Sequence, residues 1–306
     1  MSLSRRTFLG TSATAVLAAG TMTKGQVFGA NEKVRVCVIG INGRGGSHIS
    51  GFSEYEGSEV VGLCDVDSSV LSRVSRLFEK KYGKQPKTYR DMRDVFADPE
   101  IGAVSIATPN HWHTLASIWA MQAGKHVYVE KPATHNVWEG KQLIAAVEKY
   151  GKVLQHGTQR RSEANWIRDI GLLQSGEING PVYMARGLGY KSGNRDSIGF
   201  AEPENPPETL DWRLWQGPAT DVPYLKLYHP YRWHWFWHFG NGEVGNQGIH
   251  QTDVGAWGMN RGLPVKISSN GGRYTYKDQG ETPNTNNITF MYEDGTMFVF
   301  EVRNRW

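Results

Sequence analysis

From residue 33 onward, short wholly apolar runs alternate with longer stretches whose apolar positions recur every three or four residues. KVRVCVIG (33–40), EVVGLC (59–64), AVSIA (103–107), HVYVE (126–130) and VLQH (153–156) have the length and composition of strands covered on both faces. Between them, residues 67–82, Thr114–Ala123 and 137–150 carry the helical period. The last of these has start and stop signals: Asn136 and Glu139 stand at capping-box spacing, and Gly151 follows the final turn. Strand–helix alternation of this kind predicts an α/β fold with a doubly wound parallel sheet of the Rossmann type, binding ligands at the carboxyl ends of its strands. The loops Thr108–His113 and Glu130–Thr134 would then flank the reactive end of a bound nucleotide.

After Gly157 the rhythm changes. A helix is expected near 161–174 and a strand at 181–189. A long Pro-, Gly- and Asn-rich stretch covers 190–232, and strands follow at 264–269, 287–292 and 296–303. Long ordered loops are usually functional. The expected organisation is a nucleotide-binding domain at 31–157 and a substrate and oligomerisation domain at 158–306. The last strand runs almost to Trp306, so the natural protein is expected to continue beyond it.

Residues 1–30 stand apart. Ser4-Arg5-Arg6-Thr7-Phe8-Leu9 is similar to a twin-arginine export signal, and a mild apolar stretch, Leu9 to Ala19, follows it. Cleavage after Gly20 or after Ala30 fits the pattern. This implies a periplasmic or otherwise exported protein, carried across folded and with any cofactor already loaded. After residue 30 no run of roughly 18 apolar residues occurs, so no membrane span is expected beyond export. Of the net charge of +4, three positive charges sit in residues 1–30, and so balanced a remainder gives no sign of nucleic-acid binding. Cys37 and Cys64 fall in neighbouring buried strands and read as small core residues rather than a disulfide.

The first strand runs into Gly40-Ile41-Asn42-Gly43-Arg44-Gly45. A dinucleotide turn needs glycine where the chain turns, where backbone meets pyrophosphate, and where helix packs on strand. Gly40 and Gly45 fit the first and third places. Asn42 holds the second, with glycine displaced to Gly43, and Asn is expected there because it tolerates positive φ. Gly40, Asn42, Gly43, Arg44 and Gly45 are therefore candidate cofactor contacts. Asp65 ends the second strand, 20 residues after Gly45. A carboxylate there accepts hydrogen bonds from a ribose diol and repels a 2′-phosphate, so NAD is expected over NADP.

At Glu130-Lys131-Pro132 the chain resembles the Gfo/Idh/MocA family, the glucose–fructose oxidoreductase and inositol dehydrogenase relatives. Ala107-Thr108-Pro109-Asn110-His111-Trp112-His113 and Gly124-Lys125-His126-Val127-Tyr128-Val129 look like its flanking segments. The resemblance runs in order over 33–306. It implies a C-terminal α+β domain with an open, largely antiparallel sheet, on which members form homo-oligomers. It implies cofactor contacts at Thr108, Pro109, Asn110, His113, Glu130 and Lys131, and a catalytic, substrate-orienting role for Lys131. An ammonium beside a sugar hydroxyl stabilises the alkoxide that develops as hydride leaves the carbon. Pro132 is expected to follow a cis bond.

Downstream, Tyr231-Arg232-Trp233-His234-Trp235-Phe236-Trp237-His238-Phe239 carries six aromatics in nine positions. They suit stacking on sugar rings or packing in a core. A metal held by His234, His238 and His250 lacks a supporting Cys or carboxylate set, so no metal is expected. Gly245–Asp253 opens a helix, and spacings of four and three put Asn246, His250 and Asp253 on one face. By resemblance His250 is the general base, and Asp253 orients it or binds a substrate hydroxyl. Asn246 stands where the family's dehydrogenases commonly carry Asp, and an amide cannot relay a proton. The expectation is an exported enzyme with tightly bound NAD that oxidises a hydroxyl of a small carbohydrate, glycoside or polyol. Two alternatives stay open: an NAD-dependent glycoside hydrolase or lyase working by transient oxidation and elimination, and a non-catalytic sugar-binding member.

Overall fold

The computed structural model describes residues 33–177, 180–190, 197–274 and 277–303. The export-signal segment, 1–30, lies outside the described residues.

Six strands make one wholly parallel sheet: β1 (Val34–Ile39), β2 (Ser58–Cys64), β3 (Lys87–Tyr89), β4 (Ala103–Ile106), β5 (His126–Glu130) and β6 (Leu154–Gly157), in the order β3-β2-β1-β4-β5-β6. This is the doubly wound order, and its carboxyl edge carries the ends of β1, β2, β4 and β5 side by side. Helices α1 (Gly45–Glu54), α2 (Ser68–Tyr82), α3 (Met92–Ala97), α4 (Asn110–Gln122) and α5 (Val137–Tyr150) follow the strands. Local chemistry sets their ends. The Asp67 carboxylate accepts from the amides of Ser69 and Val70, and Asn136 accepts from Glu139 N–H, as the capping pattern predicts. Gly83 and Gly151 close α2 and α5 in the left-handed region. Cys37 and Cys64 are buried core thiols.

Three boundaries differ from the sequence reading. Helix α4 begins at Asn110 rather than Thr114, so Asn110 and His113 sit in its first turn. The short β3 and α3 carry too few residues to show a period. The helix expected at 161–174 is a 3-10 turn, 159–162, followed by α6 (Ala164–Ser175).

The second sheet has β7 (Met184–Tyr190), β8 (Lys266–Gly272), β9 (Thr285–Met291) and β10 (Met297–Arg303), ordered β7-β10-β9-β8. β10 is antiparallel to β9, β9 antiparallel to β8, and only β7 runs parallel to β10. Its inner face supplies Phe298, Phe300, Val302 and Ile288 to a core shared with Met259 of α8 (Ile249–Met259). Each such burial contributes about 1.5–3 kcal/mol.

The stretch read as loop builds its own core in the described part. A short helix, α7 (Trp212–Gln216), stacks Trp212 on Trp215 at 4.9 Å, and Tyr228, Phe236 and Phe239 complete an aromatic lobe. This lobe is stitched to the parallel sheet. Ser68 N–H donates to Thr209 O at 2.9 Å, Asp211 N–H to Val66 O at 3.1 Å, and Trp112 Nε1 to Trp215 O at 3.0 Å. Gly217 lies flush on the Trp112 ring, where a Cβ would stand 2.0 Å from it.

Candidate active site

A cavity of about 330 Å³ opens along the carboxyl edge of the parallel sheet. Gly40, Asn42, Gly43, Arg44, Asp65, Thr108, Pro109, Asn110, His113, Glu130, Lys131 and Asn246 all line it. Gly45, His250 and Asp253 do not. Gly45 serves packing, since a Cβ there would stand 2.0 Å from Gly40 O.

The glycine turn forms differently from expectation. Gly40 alone of its residues has positive φ, +81°, and a Cβ at Gly40 would meet Ala107 backbone at 2.8 Å. Asn42 keeps an ordinary φ, and its amide oxygen instead accepts from Arg73 Nη2 at 2.7 Å. The Asp65 carboxylate accepts from Ile41 N–H and Asp67 N–H, each at 3.0 Å. Burial raises its pKa, and these two amides pull it back down. Each oxygen keeps a lone pair, so the group can still accept from a ribose diol.

Glu130 is 4% exposed yet ionised. Burial pushes its pKa up, but hydrogen bonds from His48 and Arg44 outweigh this and hold it at about 2. Arg44 Nε donates at 2.7 Å, His48 Nε2 lies at 3.0 Å, and Lys131 N–H reaches the second oxygen at 2.9 Å. One buried carboxylate thus ties the glycine turn to the backbone of Lys131. His113 joins the two loops beside it, with its nitrogens 2.6 Å from Pro132 O and 2.7 Å from Thr108 O; burial lowers its pKa. Asn110 donates to Asn241 at 2.8 Å and anchors the far wall. The Lys131–Pro132 bond is cis.

At the other end, Lys131 Nζ donates to the backbone O of Asn246 at 2.7 Å and lies 3.4 Å from its side-chain oxygen. Asn246 belongs to a π-helical turn, Val244–Gly248, that leads into α8, so the regular spacing assumed from sequence is interrupted. His250 follows in the first turn of α8, half-buried. Burial lowers its pKa first, then the charges of Lys131 and Arg160, so it stands as a neutral imidazole. Asp253 binds Arg161 Nε at 2.9 Å rather than the His250 ring.

The cavity fits a dinucleotide on two observations. A Cβ at Gly40 would strike the opposing loop, so the narrow turn is kept bare at the strand end where pyrophosphate binds. The Thr108 hydroxyl is buried without a protein partner on the cavity wall. Among the described residues no group of three or more His, Cys, Asp or Glu could hold a metal ion.

Sequence reasoning assigned no role to Leu214, Trp215, His229 or Pro230, which form the opposite wall. The Trp-Gln-Gly-Pro segment at 215–218 is the available signal: a helix end whose glycine has positive φ. The aromatic run divides. Trp235, Phe236 and Phe239 are core, Trp237 is exposed, and Tyr231, Trp233 and His234 face the cavity.

Two family models match the chain. An oxidoreductase family NAD-binding Rossmann fold covers residues 34–158, and an oxidoreductase family C-terminal alpha/beta domain covers 173–305, both of Gfo/Idh/MocA type. Among solved structures, the WlbA dehydrogenase from Bordetella pertussis in complex with NADH and UDP-GlcNAcA superposes with a TM-score of 0.69 at 21% identity, over 90% of this chain and 73% of that one. Myo-inositol 2-dehydrogenase from Lactobacillus plantarum gives 0.68 at 18% identity, over 90% and 70%. These are likenesses of fold. A glycosyl hydrolase family 109 protein of Shewanella sp. (strain W3-18-1) is 34% identical over 125 residues, 40% of this chain, and the match spans 27% of that relative's length.

Proposed function

The chain belongs to the Gfo/Idh/MocA oxidoreductase family, and from that premise we propose that it oxidises a hydroxyl of a sugar, glycoside or polyol with tightly held NAD. The observation that carries this reading is the placement of Lys131 between the cofactor cavity and the helix that bears His250. Bound NAD accepts hydride from the carbinol carbon. His250, neutral because of its surroundings, takes the hydroxyl proton. Lys131 holds its ammonium at the oxygen where negative charge grows, aimed by the Asn246 carbonyl. Glu130 fixes the Lys131 backbone, and its ionisation keeps Arg44 over the glycine turn. Asp65 favours the ribose diol of NAD over the phosphate of NADP.

A second reading is favoured by the name of the matched relatives. Transient oxidation, elimination of the glycosidic substituent and return of the hydride would give hydrolysis without net NADH. We also take the chain to be exported, on the Ser4–Leu9 pattern. We take it to be a homo-oligomer, on the exposed Met184 and Leu188 of β7.

The test begins with protein purified without added nucleotide. Near-stoichiometric NAD or NADH should appear in the supernatant after acid denaturation. Incubation with a panel of sugars, glycosides and polyols should then produce absorbance at the NADH band. Glycoside cleavage without that absorbance would select the second reading. A nucleotide-free preparation that neither binds NAD nor oxidises any member of the panel would sink both.

A further inference from the structure

The cavity stops at Lys131 and Asn246, and on the other side of that pair a second group of polar atoms is left unsatisfied. His156 lies near the carboxyl end of β6, paired in register with Val129 and so one residue short of Glu130. Its Nε2 is buried without a partner. So are Gln159 Oε1, in the 3-10 turn that follows β6, and Asp253 Oδ2, on α8. The three belong together. Arg161, in the same 3-10 turn as Gln159, grips the other oxygen of Asp253 at 2.9 Å, and the His156 ring lies within the fields of Asp253, Glu130 and Arg161. The fold therefore brings the end of β6 against the first turns of α8, beside His250, and leaves three polar atoms unpaired there. Leaving buried polar atoms unpaired is costly, about 1–3 kcal/mol each, so a partner is needed.

The atoms restrict what that partner is. Asp253 Oδ2 and Gln159 Oε1 accept, and His156 Nε2 donates in the tautomer that carries its proton there. Hydroxyl groups meet this set, because each O–H donates once and its oxygen also accepts. A carboxylate or phosphate has no proton to give to Asp253 and is repelled by it.

We propose that His156, Gln159 and Asp253 form a hydroxyl-recognition subsite next to His250, which selects a neutral polyhydroxylated substrate over an acidic one. The proposal rests on the sugar or polyol oxidoreductase reading and narrows its substrate class. His156 and Asp253 hold a hydroxyl next to the one being oxidised, and so fix which carbon faces the cofactor.

The experiment uses the full chain with its NAD and follows binding by calorimetry. The neutral probes are myo-inositol and methyl α-D-glucopyranoside, and the acidic probe is D-glucuronate. At least one neutral probe should bind, and D-glucuronate should bind roughly tenfold more weakly or not at all. H156A and D253N should each weaken the neutral probe by about tenfold or more. H156Q, which keeps an N–H near the same place, should recover most of the H156A loss; a merely structural role would not give that rescue. Bound NAD per chain should match wild type in all three and shows that they are folded.

Unchanged binding in H156A and D253N would mean that the atoms hold only buried water, and the subsite falls while the oxidoreductase reading stands. Preference for D-glucuronate would also overturn it. An NAD-carrying chain that binds neither neutral probe overturns the subsite and leaves the cofactor assignment intact. A folded chain unable to hold NAD takes down the reading beneath as well.

Discussion

At the Gly40 end of the cavity, the ligand meets backbone: a bare glycine turn, two amides bound to Asp65, and a strand edge whose neighbours are set by sheet register. At the Lys131 end it meets side chains, and each is held by something distant. Lys131 leans on a carbonyl 115 residues away, Asp253 on an arginine 92 residues before it, and Tyr231 and Trp233 arrive on the aromatic lobe. The first end is built by local geometry and suits a ligand shared by many proteins. The second is assembled from long-range contacts, where a few substitutions re-aim the chemistry while the dinucleotide site stays unaltered. The difference teaches that cofactor binding and turnover should be separable by mutation.

The largest effect should come from Gly40→Val. It forces a β-branched residue to φ +81° with its Cβ 2.8 Å from Ala107 backbone. Protein purified from this variant should release no nucleotide on acid denaturation; full occupancy would break the comparison at its first term. Next, Lys131→Ala and His250→Ala should each lower turnover by roughly 10²-fold or more while nucleotide content stays near wild type. Loss of NAD in either variant would show that the two ends are not independent.

Asp65→Ala is expected to act on the first end only. The preference for NAD over NADP should narrow by about tenfold, with turnover at saturating NAD little changed. Equal dissociation constants in the wild type would remove the assignment. The smallest effect concerns pH. His250 acts as base only when neutral, and burial, then Lys131 and Arg160, lower its pKa from 6.5. Activity should therefore persist as pH falls below that value, and the acid limb of kcat/KM should lie beneath it. Arg160→Ala removes one repelling charge and should move that limb upward by less than about one unit. An acid limb above 6.5 in the wild type would contradict the electrostatics of this end.

Legibility in the sequence followed the same division. The five apolar runs, the Asn136–Glu139 cap and the Gly40 turn were readable because each depends on residues close in the chain. Asp65 was readable because its spacing from the turn is a property of one strand–helix–strand unit. Even there, a detail set at longer range went astray: Asn42 was expected to relax into positive φ, whereas Arg73 from α2 binds its side chain and the turn needs no such strain. The role of Glu130 as a buried, ionised tie required His48 and Arg44 to arrive from α1. The aromatic lobe read as loop because its Pro and Gly content hides a core that exists only once Trp212, Tyr228 and Phe239 meet. The π-helical turn at Asn246 has no periodic signature, so the regular face drawn through Asn246, His250 and Asp253 was too simple.

The seam between the lobe and β2 also has a consequence in time. Ser68 and Thr209 are joined across 141 residues of sequence, and closing so long a loop comes after the local strands and helices have formed. The parallel sheet and its glycine turn can thus assemble while the wall bearing Leu214 and Trp215 is still away, and a dinucleotide captured in that interval is walled in when the lobe docks. Exchange of the captured molecule then requires the lobe to detach by local unfolding. The amides of Ser68 and Asp211, whose acceptors cross the seam, become its clock: bound nucleotide should leave no faster than these two protons exchange with solvent.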